Sequence, residues 1–142
     1  SGKHILLAED NEINREIARE LVGESGVVIE EACDGAEAVR MVRESEEGYY
    51  DLILMDIQMP EMDGYEATRE IRALERRDVK RLPIVAMTAN AFAEDVQAAC
   101  RAGMNAHLAK PIDLNELERI LKQYLSEGNA MEERPGKGVG TV

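Results

Sequence analysis

Tryptophan is absent from this 142-residue chain, phenylalanine occurs once, and aromatic residues make up 4% of it. That leaves little to sandwich a flavin ring. Basic residues are outnumbered, 17 Lys and Arg against 29 Asp and Glu, for a net charge of -12. Nucleic acid is thereby disfavoured as a direct partner, because gripping phosphates takes clustered Lys and Arg. Docking on an anionic membrane is disfavoured for the same reason. No apolar run approaches the roughly 20 residues that span a bilayer, and the first residues carry no signal-peptide pattern. Cysteine is limited to Cys33 and Cys100; both fall in apolar segments and are expected to be buried, reduced thiols.

What is present suits one folded domain: 44% hydrophobic residues and a length that supports a single buried core. Ser1-Gly2, without an initiator Met, reads as the scar of a cleaved tag, so the chain is expected to be a piece of a longer protein. From Ser126 the composition shifts to Gly128, Gly136, Gly138, Gly140 and Pro135, which reads as a flexible tail or linker over 126–142.

Five short apolar runs read as strands of a parallel sheet: Ile5 to Ala8, Val27 to Ile29, Leu52 to Met55, Ile84 to Met87 and Ala106 to Ala109. Helical spacing lies between them. Ile13, Ile17 and Leu21 recur at i, i+4, i+8, as do Phe92, Val96 and Cys100; Ala67, Ile71 and Leu74 recur at i, i+4, i+7. Val39 and Val42 mark a shorter helix, and Leu114, Leu117, Leu121 and Tyr124 a last one. Asp63 with Glu66, and Asp113 with Glu116, form D-x-x-E capping patterns at two helix starts. Strict alternation gives an α/β fold, doubly wound with helices on both faces. Sites in such sheets form at the carboxyl ends of the strands.

Those ends carry Glu9 and Asp10 after the first strand, Asp56 after the third, Thr88 after the fourth and Lys110 after the fifth. Asp56 closes the run Asp51-Leu-Ile-Leu-Met-Asp56, which breaks at Pro60 and Gly64. Three carboxylates drawn together repel unless a cation joins them. Hard oxygen ligands of this kind suit Mg2+, whereas no His or Cys cluster is present for zinc. Asp56 is the candidate nucleophile, because carboxylates form aspartyl phosphates. The oxygens of a transferring phosphoryl group would be met by Mg2+, by Lys110, and by the Thr88 hydroxyl with the Ala89 N–H. Taken singly, Glu9, Asp10 and Thr88 are ordinary helix caps or solvated groups, and Lys110 a surface lysine. Their joint occurrence at one pole carries the functional reading.

The stretches Ile5-Leu-Leu-Ala-Glu-Asp-Asn11, Asp51 to Gly64, Pro83-Ile-Val-Ala-Met-Thr-Ala-Asn90 and Ala106-His-Leu-Ala-Lys-Pro-Ile112 resemble the response-regulator receiver domain of two-component signalling. The resemblance covers about residues 3–125. It implies a flavodoxin-like five-stranded sheet of order 2-1-3-4-5, with Asp56 as phosphoacceptor and Thr88 and Lys110 as its catalytic partners. It also implies a Mg2+ site of Glu9, Asp10, Asp56 and the Gln58 backbone carbonyl. Glu9 stands where the family commonly has aspartate, consistent with a role through water. Gln58 and Asn90 occupy positions that influence how fast the phosphoryl group is hydrolysed, and in many relatives the bond matching Lys110-Pro111 is cis. His107 stands where relatives often carry a switching aromatic; it is either a switch alongside Thr88 or a partly exposed strand histidine.

Glu9 to Asn14, Met87 to Phe92 and His107 to Ile112 are most similar to receivers of hybrid sensor histidine kinases. The implied partners are a histidine kinase and a histidine phosphotransfer domain, docking around Asn11, Ile13, Asn14 and Arg15 and at Pro111. Ile13 reads equally as core. The implied setting is cytoplasmic, with the parent membrane-anchored if it is a hybrid kinase. A stand-alone regulator is the alternative. A haloacid-dehalogenase-type phosphatase shares the residue types but expects its nucleophile in a D-x-D pair after the first strand. A flavodoxin-like carrier would need a phosphate loop where Glu9-Asp-Asn-Glu12 is acidic.

Overall fold

The computed structural model describes residues 3–23, 26–89, 93–110 and 112–126, with the backbone alone for 93–96 and 126. The strands are β1 (His4–Ala8), β2 (Val28–Ala32), β3 (Leu52–Asp56), β4 (Ile84–Thr88) and β5 (Ala106–Ala109). All pair in parallel, in the order β2-β1-β3-β4-β5, the order implied by the resemblance. The helices are α1 (Glu12–Gly23), α2 (Gly35–Glu44), α3 (Gly64–Arg72), α4 (Asp78–Arg81), α5 (Ala93–Ala102) and α6 (Leu114–Leu121), the last running into a π-helical turn at Lys122–Ser126.

Alternation along the strands divides the core into two layers. Leu6, Ile53 and Met55 pack with Val39, Val42, Ala67, Ile71 and Ala99 from α2, α3 and α5. Their neighbours Ile5, Leu7, Leu52 and Leu54 pack on the opposite face with Ala18, Val22, Leu117 and Ile120 from α1 and α6. Strand β3 is buried throughout because it has strands on both sides and helices on both faces.

Three expectations are corrected. The second strand runs from Val28 to Ala32 and so includes Glu30 and Glu31. An edge strand tolerates them because their carboxylates turn to partners: Tyr49 and Tyr50 donate to Glu30, while Arg15 and Arg19 pair with Glu31. In α1 the buried residues are Ala18 and Val22, whereas Ile13 is 66% and Ile17 46% exposed; Ile13 is not core. Both cysteines are exposed, Cys33 one residue past the buried end of β2 and Cys100 beside the buried Ala99. Helix α4 is an addition to the expected elements. Phe92, Asn90, Pro111, residues 1–2 and residues 127–142 lie outside the described residues, as does the Val96 side chain.

Both capping patterns form: Asp63 accepts from the Glu66 N–H at 2.9 Å and Asp113 from the Glu116 N–H at 3.3 Å. A third opens α2, where Asp34 accepts from the Glu37 N–H and Glu37 returns the contact to the Cys33 N–H. Such reciprocal boxes satisfy amide groups that a helix start leaves unpaired.

Candidate active site

The carboxyl ends of β1, β3, β4 and β5 open into a cavity of about 320 Å3, lined in part by Glu9, Asp10, Asn11, Asp56, Thr88 and Lys110. Asp56 is the last residue of β3 and 3% exposed. Glu9, 2% exposed, follows β1 directly; its N–H donates to the Ala32 carbonyl at 3.0 Å, so the end of β2 sets its backbone. Lys110 follows β5, and its N–H donates to the Thr88 carbonyl at 2.8 Å. The sheet register thus carries both cationic and acidic groups to one edge.

Chain reversal after β3 depends on Gly64. A Cβ there would lie 2.3 Å from the Asp56 carbonyl oxygen, far inside contact distance, while the Gly64 N–H donates to the Ile57 carbonyl at 2.8 Å. The glycine lets the start of α3 fold directly against the strand that presents Asp56.

Lys110 Nζ lies 2.9 Å from Glu9 Oε1 and 3.1 Å from Asp56 Oδ1. Burial, and then the charge of Glu9, push Asp56 up to about 6, with Lys110 opposing. Burial also acts to raise Glu9, but its hydrogen bonds from Lys110 and the Asn11 N–H outweigh that and hold it below the usual carboxylate value. For Lys110 the burial that would lower it is outweighed by the two carboxylates, which hold it above the usual lysine value. One lysine therefore serves two buried acids, and the deficit falls on Asp56.

Glu9, Asp10 and Asp56 each place a carboxylate oxygen within 4.8 Å of the others. This all-oxygen, net-negative donor set fits a small hard dication, which would relieve the repulsion that burial intensifies. Gln58 is exposed, lines the same cavity, and donates its N–H to Asp56 Oδ1 at 3.3 Å.

The site residues inferred from sequence, Glu9, Asp10, Asp56, Gln58, Thr88 and Lys110, are thus brought to one cavity, together with Asn11 and Asn14. His107 is on β5 with an exposed side chain and does not line that cavity. Ile13 stands on the exposed surface of α1. Arg15 turns inward: it donates to the Glu9 carbonyl at 2.8 Å and pairs with Glu31 at 3.3 Å. Glu31 itself escaped the sequence reading; its signal was the pair Arg15 and Arg19, one helical turn apart.

The protein-family model of the response regulator receiver domain matches residues 5–122. Probable histidine kinase 2 of Oryza sativa subsp. indica is 46% identical over 123 residues, covering 79% of this chain and 12% of that protein. The chain thus spans about an eighth of the length of the curated kinase it matches. The receiver domain of a sensor histidine kinase from Pseudomonas aeruginosa, whose structure has a magnesium ion coordinated in the active site cleft, is 43% identical with a TM-score of 0.79. That match covers 89% of this chain and 99% of the other. A chain in the co-crystal structure of the Saccharomyces cerevisiae histidine phosphotransfer protein Ypd1 with the receiver domain of Ssk1 is 29% identical, with a TM-score of 0.76. It covers 87% of this chain, and 88% of that chain is matched. Sheet order, the pole at which the acids and lysine meet, and similarity across nearly all the described residues agree: the chain belongs to the response regulator receiver domain family.

Proposed function

We propose that residues 3–125 act as a phosphorelay receiver, in which Asp56 takes a phosphoryl group from a phosphohistidine and then passes it on or switches conformation. The observation that carries this reading is the placement of Asp56: a nearly buried carboxylate, 3.1 Å from Lys110 Nζ, with two further acids within 4.8 Å.

In the reaction, an Asp56 carboxylate oxygen attacks phosphorus, the P–N bond to the donor imidazole breaks, and the imidazole nitrogen keeps the bonding pair and takes up a proton. The product is an acyl phosphate. Lys110 is placed to neutralise one phosphoryl oxygen, and the Thr88 hydroxyl with the Ala89 N–H to meet another. Glu9, Asp10, Asp56 and the Gln58 carbonyl would hold Mg2+, which when bound supplies charge neutralisation at the phosphoryl oxygens. Burial and the charge of Glu9 disfavour the bare Asp56 carboxylate, so a bound cation would favour the ionised form that attacks phosphorus.

The partner is a histidine phosphotransfer domain or kinase, and the parent a hybrid sensor histidine kinase. Similarity to the rice kinase and to the receiver co-crystallised with Ypd1 supports both. The exposed Ile13 and Ile17, on the helix that begins beside Asn11, support docking on that face, with Asn11, Asn14 and Arg15 near its border. Pro111 joins it on the resemblance alone. Among the described residues no helix is long and apolar enough to cross a membrane. We read residues 126–142, from their composition, as a tail or linker and this module as cytoplasmic.

A phosphorylated histidine phosphotransfer domain, mixed with the chain, tests the reading. The donor is expected to lose phosphate, and this chain to gain it, only when Mg2+ is present. Transfer that proceeds equally in a chelator, or that Asp56→Asn supports at the parent rate, overturns it.

A further inference from the structure

Two of the three acids proposed to hold the cation, Glu9 and Asp10, are consecutive, so the plane of the single peptide between them helps set how both side chains enter the cleft. The Glu9 N–H is fixed by the Ala32 carbonyl at 3.0 Å. The Glu9 carbonyl, which shares its peptide with the Asp10 N–H, accepts from Arg15 at 2.8 Å. Arg15 is in turn held by Glu31 at 3.3 Å, with side-chain exposures of 16% and 27%. Glu31 takes a second ion pair from Arg19 at 2.5 Å.

We propose that Arg15, clamped by Glu31, is a positioning residue for the cation site, locking the Glu9–Asp10 peptide so that both carboxylates face Asp56. This deepens the receiver reading and rests on it. The planar fork of arginine suits the task, because one guanidinium reaches the carbonyl and the Glu31 carboxylate together. A carbonyl so held keeps its orientation when the repelling acids would otherwise rotate it. Arg15 is not among the residues that line the cleft; it acts through the backbone of Glu9. Arg19 shares Glu31 but has no contact with the Glu9 carbonyl among its hydrogen bonds, which makes it the control.

Calorimetric titration of the unphosphorylated chain with MgCl2, alongside phosphorylation by acetyl phosphate at rising Mg2+, separates affinity from rate. Arg15→Ala is expected to weaken Mg2+ binding about tenfold, as loss of an outer-shell orienting group typically does. Its rate at saturating Mg2+ should stay close to the parent's. Arg15→Lys should recover part of the affinity, since one ammonium reaches the carbonyl or Glu31 but not both. Arg19→Ala should bind as the parent does. Unchanged affinity in Arg15→Ala, or an equal loss in Arg19→Ala, overturns the inference and leaves Arg15 as a helix anchor. Should Arg15→Ala fail to fold, unchanged affinity in Arg15→Lys overturns it instead. A parent chain that does not bind Mg2+ would sink the receiver reading itself, a different result from any of these.

Discussion

At the carboxyl ends of the strands, Glu9, Asp10 and Asp56 draw together, and Lys110 pairs with Glu9 and Asp56. At the amino ends of the same sheet the balance is reversed. Arg72 donates to the carbonyls of Gly103, Val79 and Leu82 and to Asn105 Oδ1, tying α3 to the approaches of β4 and β5. Arg76 donates to the carbonyls of Val42, Ser45 and Glu46 and pairs with Asp78 at 2.8 Å, tying the end of α2 to α4. One pole spends its polar groups on closing loops; the other leaves acids undercompensated, ready for a cation and an electrophile. Stability and reactivity are therefore separated by the length of a strand.

That separation is open to attack from either end. Arg72→Ala should cost the most stability, about 3–4 kcal/mol, because several partly buried carbonyls lose a charged donor at once. Urea unfolding measures it, and Mg2+ affinity of the folded fraction should be unchanged; a weakened cation site would mean that the poles are coupled. At the acidic pole, Lys110→Ala should slow phosphorylation about 100-fold, the scale of losing one donor to a developing charge, with the circular dichroism spectrum retained. An unfolded variant would place Lys110 among the structural residues instead.

The next effect is in stability and has the opposite sign from Arg72→Ala. Asp56 is raised from 3.8 to about 6, so the folded chain binds its proton more tightly than the unfolded chain. Its contribution is fully present below pH 3.8 and is lost as pH rises through about 6. In a chelator at pH 7, Asp56→Asn should accordingly be more stable than the parent, by up to about 2–3 kcal/mol, with the difference vanishing near pH 4. Denaturation at both pH values checks this, and a destabilised variant at pH 7 would contradict the burial and charge repulsion assigned to Asp56. Smallest of all, Ile13→Ser should alter stability by less than about 0.5 kcal/mol, as exposed substitutions do. It should slow transfer from a histidine phosphotransfer domain while leaving acetyl phosphate labelling untouched; slowing of both would place Ile13 in the cleft chemistry and not in docking.

The contrast between the poles also explains what could be read in advance. Asp56 and Thr88 end apolar strands and Lys110 directly follows one, and strand ends in a parallel sheet converge, so the acidic pole is visible as a pattern of types and positions. Arg72 and Arg76 were not, because a guanidinium bonding to main-chain carbonyls leaves no trace in residue spacing. The capping boxes at Asp63 and Asp113 were visible because both partners are local. Burial on α1 misled: Ile13, Ile17 and Leu21 make a sound helical stripe, yet the helix turns Ala18 and Val22 to the sheet, leaving the isoleucines beside the cleft. The edge strand β2 was shifted for a related reason, since Glu30 and Glu31 look wrong for a strand until their tyrosine and arginine partners are known.

The most direct measurement is the site of phosphorylation. After acetyl phosphate treatment with Mg2+, borohydride converts an aspartyl phosphate to homoserine, which peptide mass spectrometry locates. Homoserine is expected at position 56 alone, and none when Mg2+ is chelated. Homoserine at Asp10 or Asp51, or incorporation indifferent to Mg2+, would contradict it.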